Sequence, residues 1–328
     1  MKICIVGAGA IGGYLAVKLA LTGNKVTTIA RGEQLRAIRS KGLTLHEDGK
    51  TYHSNEIEAH EKISEAGKFD LVILCVKAQQ IAPIVNDLNS LFDENTVLLT
   101  TQNGIPWWYF QHYPKQDSEY KDYVIESVDP GGIISKAIDP KRIIGCVVYP
   151  AVSVAEPGVI EHNEGNRFPM GELDGSESER IKNITNAFIA AGLKSPILPD
   201  IRGEIWLKVW GSCCFNPLSA LTGGMLSDIC TYPSSKQLVE KVMLEAYDIA
   251  TKLGITFRVG LEKRINGAAV LHHKTSMLQD IEAKRSTELD SLVTAVIELG
   301  ALTKTPTPRL ETIHACVKLL TFKLGINQ

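Results

Sequence analysis

Three glycines near the start of the chain have the spacing of a phosphate-binding turn. Residues 7–12 are Gly7, Ala8, Gly9, Ala10, Ile11 and Gly12. In a G-x-G-x-x-G motif the glycines permit a tight turn, close approach of the backbone to a pyrophosphate, and close packing of helix on strand. The motif follows an apolar strand and opens a helix, whose first N–H groups and dipole attract phosphate. The sequence therefore predicts a dinucleotide site, and a plain tight turn is the alternative.

The end of the second predicted strand indicates which dinucleotide is bound. Folds that bind NAD usually place Asp or Glu there, where the carboxylate accepts hydrogen bonds from the ribose hydroxyls. This chain instead has Arg31, within the run Thr28-Ile29-Ala30-Arg31-Gly32. Because a guanidinium can clamp a 2′-phosphate and stack on adenine, we expect NADP rather than NAD. The alternative is an arginine that is simply solvated at the surface.

Two polar side chains follow later strands of the same predicted sheet. Lys77 comes directly after a buried strand, and Asn103 stands in the run Thr101-Gln102-Asn103-Gly104 after the next one. Ligands of open α/β sheets bind at the carboxyl ends of the strands. We therefore expect Lys77 to reach a phosphate or ribose, and Asn103 to bond the nicotinamide or a substrate. Both residue types are also common in turns and in solvent.

One helix of the C-terminal part carries a polar stripe among apolar side chains. Glu204, Lys208, Ser212 and Asn216 recur at every fourth residue between Ile, Trp, Leu, Val, Cys and Phe. Residues four apart share a helix face, and a rise of about 1.5 Å per residue places Lys208 and Asn216 about 12 Å apart. That span suits a small substrate, and a lysine there suits proton transfer. The alternative is an exposed Glu204–Lys208 ion pair with no catalytic role.

Two serines and an acid near the C-terminus have an ordinary structural explanation. Ser276 and Ser286 each lie next to a predicted helix start, where a hydroxyl caps the free N–H groups. Glu288 falls in a predicted first turn, where a carboxylate faces the positive end of the helix dipole. Composition alone therefore favours helix capping for all three residues.

The N-terminal part alternates short apolar strands with helical segments, which is typical of a doubly wound parallel sheet. Asp48-Gly49 between two short strands predicts an antiparallel hairpin. An aromatic and polar segment at residues 107–123 is expected to be an insertion with its own helix. The predicted strands span residues 2–6, 25–30, 43–47, 51–55, 69–76, 96–101, 143–149, 159–162 and 167–171, and the predicted helices residues 11–21, 78–91 and 177–191.

From Pro196 and Pro199 onward the pattern is helical almost to the end. We therefore predict an α/β fold, with an N-terminal Rossmann-type doubly wound sheet followed by an all-helical C-terminal domain. Residues 1–198 are expected to form the NADP-binding domain, and residues 199–328 the helical substrate and catalytic domain. The predicted helices span residues 201–220, 235–253, 261–270, 277–284, 287–302 and 308–322.

Composition and charge exclude several classes of protein. With 35 Lys and Arg against 37 Asp and Glu, the 328-residue chain has a formal charge of −2 and no basic footprint for nucleic acid or an anionic membrane. Its seven cysteines are odd in number and form no C-x-x-C pair, so we expect free thiols and neither a disulfide framework nor a metal site. Since no apolar segment is long enough to span a bilayer, we expect a cytoplasmic protein with a small-molecule partner.

Together these motifs resemble the ketopantoate reductase (2-dehydropantoate 2-reductase) family over nearly the whole chain and in the same order. The resemblance is carried by the glycine motif, Asn103-Gly104, the helix with Lys208 and Asn216-Pro217-Leu218, Ser276-Met277-Leu278-Gln279-Asp280, and Thr287-Glu288-Leu289-Asp290. The last two runs are far more specific than the glycine motif. The resemblance implies that Ser276 and Glu288 are site residues rather than caps.

The resemblance implies an enzyme that uses NADPH to reduce the C2 carbonyl of ketopantoate to pantoate, for pantothenate and coenzyme A synthesis. It places the site in the cleft between the two domains. Lys208 would be the general acid that protonates the carbonyl oxygen, and Glu288 would orient Lys208 and contact the cofactor ribose. The positive charge of the lysine would stabilise the oxygen as it gains negative charge.

The resemblance also implies how the ligands are held. Ser276 would bind the substrate carboxylate, Asn216 its hydroxyl end, and Asn103 would bridge nicotinamide and substrate. Arg31 and Lys77 match positions that meet the phosphate and ribose of NADP. A homodimer through the helical domain is a further implication.

Three features depart from the family pattern. Ser212 stands where the family usually has a second substrate-binding asparagine, His273 where an asparagine often precedes the Ser-Met pair, and residues 107–123 are longer and more aromatic. Because a site built to bond a particular hydroxyl discriminates strongly, losing an amide donor would relax or redirect the choice of substrate. The alternatives are a reductase of a different 2-oxo acid and a non-catalytic NADP-binding sensor. The pairing of Lys208 with Glu288 argues against the sensor, which needs no proton donor.

Overall fold

The chain divides into two compact units in the computed structural model, which describes residues 1–113 and 120–326. Their ranges are Met1–Gln102, Phe110–Val124 and Gly132–Ile201 for the first unit, and Asn103–Tyr109, Ile125–Gly131 and Arg202–Gln328 for the second. Two short segments from the N-terminal part of the chain therefore belong to the unit that holds the C-terminal helices. One of these segments starts at Asn103, three residues after a strand of the first unit ends at Thr100.

Eleven strands occur among the described residues. They are β1 (Lys2–Val6), β2 (Lys25–Ile29), β3 (Leu43–Glu47), β4 (Lys50–Ser54), β5 (Glu58–His60), β6 (Leu71–Leu74), β7 (Val97–Thr100), β8 (Ile143–Cys146), β9 (Ala151–Glu156), β10 (Val159–Glu164) and β11 (Met170–Glu172). Seven of them form one sheet in the order β11-β8-β7-β6-β1-β2-β5. All neighbours in it are parallel except β11 and β8. The predicted doubly wound sheet is confirmed.

The central strands of this sheet are buried on both faces. Every residue of β6 and β7 is buried, as expected for parallel strands that are covered on both sides. In register, Ile3 of β1 lies between Val26 of β2 and Leu71 of β6. The glycine turn follows β1 directly, so these buried strands fix where the turn lies at the edge of the sheet.

A second sheet of four strands, in the order β4-β3-β10-β9, completes the first unit. The predicted hairpin at Asp48-Gly49 is confirmed, because β3 and β4 are joined by these two residues alone, with φ of 50° and 72°. Strand β9 was missed by sequence reasoning. It is half-buried at residues 151–153 and exposed at residues 154–156, so its two valines give only a weak apolar pattern.

The first unit also contains five α-helices within the described residues: α1 (Ala10–Ala20), α2 (Gly32–Lys41), α3 (Val85–Leu88), α4 (Ile133–Ala137) and α5 (Glu179–Ala190). The predicted continuous helix at residues 78–91 is wrong. That segment is a chain of 3₁₀ turns around the four-residue α3, since Pro83 has no N–H to donate and its ring clashes with the preceding turn. Residues 107–113 and 120–123 form turns rather than the predicted helix, and residues 114–119 lie outside the described part.

The helical C-terminal part begins with α6 (Ile201–Thr222), followed by α7 (Leu226–Thr231), α8 (Pro233–Lys252), α9 (Leu261–Ala269), α10 (Ser276–Glu282), α11 (Ala295–Leu302) and α12 (Pro308–Lys323). The predicted all-helical character is confirmed. The short helix α7 was missed, because it lies between Gly223-Gly224 and Pro233, which read as a loop. The predicted helix at 287–302 starts later, with a π-helical turn at Asp290–Thr294 that leads into α11.

No helix among the described residues is both long and apolar enough to cross a bilayer. All seven cysteines are free, and burial raises the pKa of the Cys213 thiol to about 12, so this thiol stays protonated and inert.

Candidate active site

The glycine turn between β1 and α1 has the shape that its motif predicts. Gly7 has a φ of +102°, which L side chains rarely adopt. A Cβ atom on Gly12 would lie 1.8 Å from the Gly7 carbonyl oxygen, so only glycine permits this approach of helix and turn. Gly9 precedes α1 without a side-chain cap, and nothing lies within 4 Å of where its Cβ would be. The open space over Gly9 and the uncapped helix start form a cradle that fits a pyrophosphate.

Gln34, on α2, braces this turn. Its Nε2 donates to the carbonyl oxygen of Ala8 at 2.7 Å, and its Oε1 accepts from the N–H of Gly158 at 3.0 Å. The side chain thereby ties the glycine turn to the turn between β9 and β10. Sequence reasoning missed it, because a glutamine on a helix carries no signal of its tertiary partners.

The two cations predicted to hold the cofactor lie in the first unit. Arg31 is exposed and directly precedes α2, where it makes no side-chain cap. Lys77 is partly buried after β6, and its backbone N–H donates to Gln80 Oε1 at 3.0 Å. Beside it, Gln102 Nε2 donates to the carbonyl oxygens of Leu74 and Val76. These bonds fix the loop after β6, whose Val76 packs against Gly7.

The polar stripe of α6 is present but lacks Glu204. Lys208, Ser212 and Asn216 are each partly accessible on a helix whose remaining residues are mostly buried. Glu204 has a side chain with no exposed surface, and its carboxylate pairs with Arg258 at 2.5 Å. The alternative of an exposed Glu204–Lys208 ion pair is therefore wrong.

Within the second unit, Lys208, Asn103 and Glu288 form a chain of hydrogen bonds. The Lys208 ammonium donates to Asn103 Oδ1 at 2.5 Å, and Asn103 Nδ2 donates to Glu288 Oε2 at 2.9 Å. These bonds join segments that are 105 and 185 residues apart in sequence. We call this chain the relay. The amide of Asn103 has only one orientation that serves both partners, since its oxygen accepts and its nitrogen donates.

An aromatic segment fixes the beginning of the helix that carries Lys208. Arg202 Nε donates to the Tyr109 carbonyl oxygen, and Trp206 Nε1 donates to the Tyr109 hydroxyl, both at 2.7 Å. The Arg202 guanidinium also lies 5.9 Å from the ring centre of Trp108. The aromatic residues at the start of the predicted insertion are thus part of the core that positions α6.

The remaining predicted substrate residues are Ser276, Asn216 and Ser212. Thr275, not Ser276, is the N-cap of α10, since its hydroxyl accepts from the Leu278 N–H, so capping by Ser276 is wrong. In the described part of the chain, the side chains of Ser276 and Asn216 take part in no hydrogen bond. The Ser212 hydroxyl donates to the Lys208 carbonyl oxygen at 3.0 Å. The structure thus gathers Lys208, Asn103 and Glu288, and leaves Asn216 and Ser276 available for a ligand.

Two family models match most of the chain. Residues 3–175 match the model described as Ketopantoate reductase PanE/ApbA, and residues 200–321 match the one described as Ketopantoate reductase PanE/ApbA C terminal. The two matched ranges contain the glycine turn and the three members of the relay.

Individual proteins are similar over their full length. A 2-dehydropantoate 2-reductase of Mesorhizobium japonicum is 45% identical over 99% of both chains. A crystal structure from Ralstonia solanacearum MolK2, of a protein provisionally described as a ketopantoate reductase, is 36% identical over 99% of both chains with a TM-score of 0.92. A D-mandelate dehydrogenase in complex with NADH and anilino(oxo)acetate is 21% identical over both whole chains with a TM-score of 0.85, which shows a shared fold.

Proposed function

Because the chain belongs to the ketopantoate reductase family, we propose that it reduces 2-dehydropantoate (ketopantoate) to pantoate with NADPH. The observation that carries this proposal is the relay, in which an ammonium group donates to an amide and that amide donates to a carboxylate. A 2-oxo acid reductase needs such a proton donor beside the carbonyl oxygen.

The residues of the relay have separate tasks in the proposed reaction. Bound NADPH supplies the hydride that goes to C2 of the substrate. The Lys208 ammonium bonds the carbonyl oxygen and gives it a proton, so that the ketone becomes a hydroxyl group and Nζ becomes a neutral amine. Asn103 keeps Nζ in one position, and the Glu288 carboxylate holds the Asn103 amide. The preplaced positive charge stabilises the developing oxyanion more than the ketone.

The residues of the first unit fit a dinucleotide. The glycine turn leaves open space over Gly9 at an uncapped helix start, which suits the pyrophosphate. Gln102 Oε1 is buried and has no hydrogen-bond partner among the described residues, which suits a group that donates, as a carboxamide does. We propose that Lys77 contacts the phosphate or ribose, and that Glu288 contacts the cofactor ribose.

Arg31 supports NADP over NAD as the cofactor. It is exposed at the position where NAD-binding folds carry an acid. We expect Arg31→Ala to lower the ratio of kcat/KM for NADPH to that for NADH by about 10- to 100-fold, as loss of a charge-assisted bond to phosphate predicts. Steady-state kinetics with both nucleotides measure the ratio. Arg39→Ala is the control, because Arg39 is also on α2 but donates to the Ala59 carbonyl oxygen. An unchanged ratio in Arg31→Ala contradicts the assignment.

The substrate-binding residues in this proposal are Asn103, Ser212, Asn216 and Ser276. Ser276 binds the carboxylate of the 2-oxo acid, and Asn216, two helical turns along α6 from Lys208, bonds the hydroxyl at its other end. An NADP-binding domain at residues 1–198 and a substrate domain at residues 199–328 stay a prediction, although Asn103–Tyr109 and Ile125–Gly131 belong to the second compact unit. A homodimer remains an expectation from the family resemblance.

A different 2-oxo acid is the second candidate substrate, and Ser212 is the observation that favours it. The Ser212 hydroxyl donates its hydrogen bond to the Lys208 carbonyl oxygen. Toward a ligand it can therefore act only as a hydrogen-bond acceptor. We expect Ser212→Asn to raise kcat/KM for ketopantoate about tenfold relative to the analogue without the terminal hydroxyl, since the new amide donates to that hydroxyl. Ser212→Ala is the control, with the ratio unchanged. If this ratio of kcat/KM values is the same in Ser212→Asn as in the wild type, residue 212 does not contact the terminal hydroxyl of the substrate.

The proposed function is tested by a panel of 2-oxo acids with the purified protein and NADPH. We expect ketopantoate to have the highest kcat/KM, with pantoate formed in equal amount to the NADPH consumed. If a larger or unhydroxylated 2-oxo acid has a higher kcat/KM than ketopantoate, that acid is the substrate and the second candidate is correct. NADPH binding without turnover of any member contradicts both and supports a sensor.

A further inference from the structure

The loop that carries Asn103 is docked on the π-helical turn at Asp290–Thr294, which begins two residues after Glu288. The Ile105 N–H donates to the Ser291 carbonyl oxygen at 2.8 Å. Gly104 lies so close that a Cβ on it would be 2.2 Å from the same oxygen. Gly104 also has a φ of +90°, so both its conformation and its surroundings require glycine.

The π-turn is what makes the Ser291 carbonyl available. In an α-helix this oxygen would accept the N–H of residue 295, four positions later. Here the Ala295 N–H bonds to Asp290 oxygen instead, five positions back. The wider turn leaves the Ser291 oxygen to accept the Ile105 N–H from outside the helix. π-turns often occur at functional sites.

The same turn holds the other end of the relay. The Ser291 hydroxyl and the Leu292 N–H both donate to the Glu288 carbonyl oxygen, at 3.3 Å and 3.1 Å. The turn itself is tied by Thr294, whose hydroxyl donates to Asp290 Oδ1 at 2.9 Å. One short segment therefore fixes the backbone of Glu288 and of Asn103 together.

We propose that Gly104 and the Ser291 carbonyl oxygen together position Asn103 in the active site. Their contact sets the backbone of Asn103, so that its amide reaches both Lys208 and Glu288. This inference rests on the proposed function, since positioning matters only where Lys208 gives up a proton. Neither Gly104 nor Ser291 touches the reacting atoms in this account.

Gly104→Ala is the first test. We expect kcat to fall about 100-fold, because a displacement of about 1 Å at a reacting group has an effect of that size. KM for ketopantoate changes less than kcat, since Asn103 is displaced but Ser276 and Asn216 are untouched. The control is Gly223→Ala in the same unit, where φ is +72° and nothing lies within 4 Å of the Cβ. That variant has the same kind of backbone strain without the collision, and we expect it to keep its kcat.

A double variant separates positioning from general damage. If Gly104 acts through Asn103, then adding Gly104→Ala to Asn103→Ala lowers kcat no further. A second 100-fold loss on top of Asn103→Ala overturns the proposal. Should Gly104→Ala not fold, Thr294→Val takes its place, because it removes the bond that ties the π-turn and keeps the side-chain shape. It is expected to lower kcat several-fold in the wild-type background and not in Asn103→Ala.

Hydrogen exchange of the Ile105 amide gives a readout independent of catalysis. We expect slow exchange in the wild type and in Gly223→Ala, and at least tenfold faster exchange in Gly104→Ala or Thr294→Val. Unchanged exchange in these variants overturns the docking. If the wild type turns over no 2-oxo acid while the exchange pattern is as expected, the proposed function fails and the docking stands.

Discussion

Replacing Lys208 with alanine is expected to lower kcat for ketopantoate by about 10³-fold or more. General acid catalysis and stabilisation of the oxyanion each contribute about 10²- to 10³-fold, and both depend on the ammonium group that donates to Asn103. NADPH affinity should change little, because Lys208 is not among the predicted cofactor contacts, which are the glycine turn, Arg31, Lys77, Asn103 and Glu288. Steady-state kinetics give kcat, and fluorescence titration gives the Kd of NADPH.

Lys252→Ala is the matched control for this result. Lys252 is also a helical lysine of the second unit with its ammonium bonded to oxygen, here the backbone carbonyls of Thr303 and Lys304. It should leave kcat within about twofold, as expected for a residue outside the reaction. A Lys208→Ala variant that keeps near-normal kcat would remove Lys208 from the mechanism.

Substitution of Gly12 is expected to abolish cofactor binding by distorting the turn. An alanine Cβ would lie 1.8 Å from the Gly7 carbonyl oxygen, so α1 and the turn must separate. We expect the Kd of NADPH to rise at least 100-fold, and the melting temperature to fall, because overpacking of a tight site costs about 1–3 kcal/mol or more. Thermal unfolding and NADPH titration measure both effects.

Gly9→Ala separates the loss of affinity from the loss of stability. Gly9 has a φ of −73° and nothing within 4 Å of its Cβ position, so alanine is accommodated without strain in the free protein. The new methyl group occupies the open space that we assign to the pyrophosphate. We expect an unchanged melting temperature and at least a tenfold weaker Kd for NADPH, about 1.4 kcal/mol. Normal NADPH affinity in Gly9→Ala would place the pyrophosphate elsewhere.

The parts of the fold that depend on local sequence were predictable. The glycine turn, its flanking strand and helix, and the Asp48-Gly49 hairpin are each set by residues within a few positions of one another, and all three are confirmed. The helical C-terminal part follows from a sustained apolar pattern, and it is confirmed as well. The family resemblance is also confirmed by the matches to both family models.

Features that depend on distant partners were not predictable. Nothing near Asn103 indicates that its amide connects Lys208 to Glu288, because these bonds span 105 and 185 residues. Glu204 fits the helical stripe by spacing, yet its buried pairing with Arg258 removes it from that face. By residue type alone Glu288 resembles an acid in the first turn of a helix. Only the resemblance of the whole run Thr287–Asp290 to the family indicated that Glu288 is a site residue.

Other errors have local physical causes. Pro83 breaks the predicted helix at residues 78–91 into 3₁₀ turns. Thr275 and Ser276 are both good capping residues, and the backbone bends one residue earlier than the pattern suggested, so the threonine caps α10. The π-turn before α11 leaves no mark in the apolar spacing, although it organises the proposed site.

Chemical rescue of Lys208→Ala tests most directly whether an amine at this position donates the proton. The variant is assayed with ketopantoate and NADPH while small primary amines are added in a series of increasing pKa. We predict that turnover rises with amine concentration and varies with amine pKa, while Lys252→Ala shows no response. Turnover of Lys208→Ala that stays flat with every amine, beside an active wild type, would contradict the role of Lys208 as proton donor.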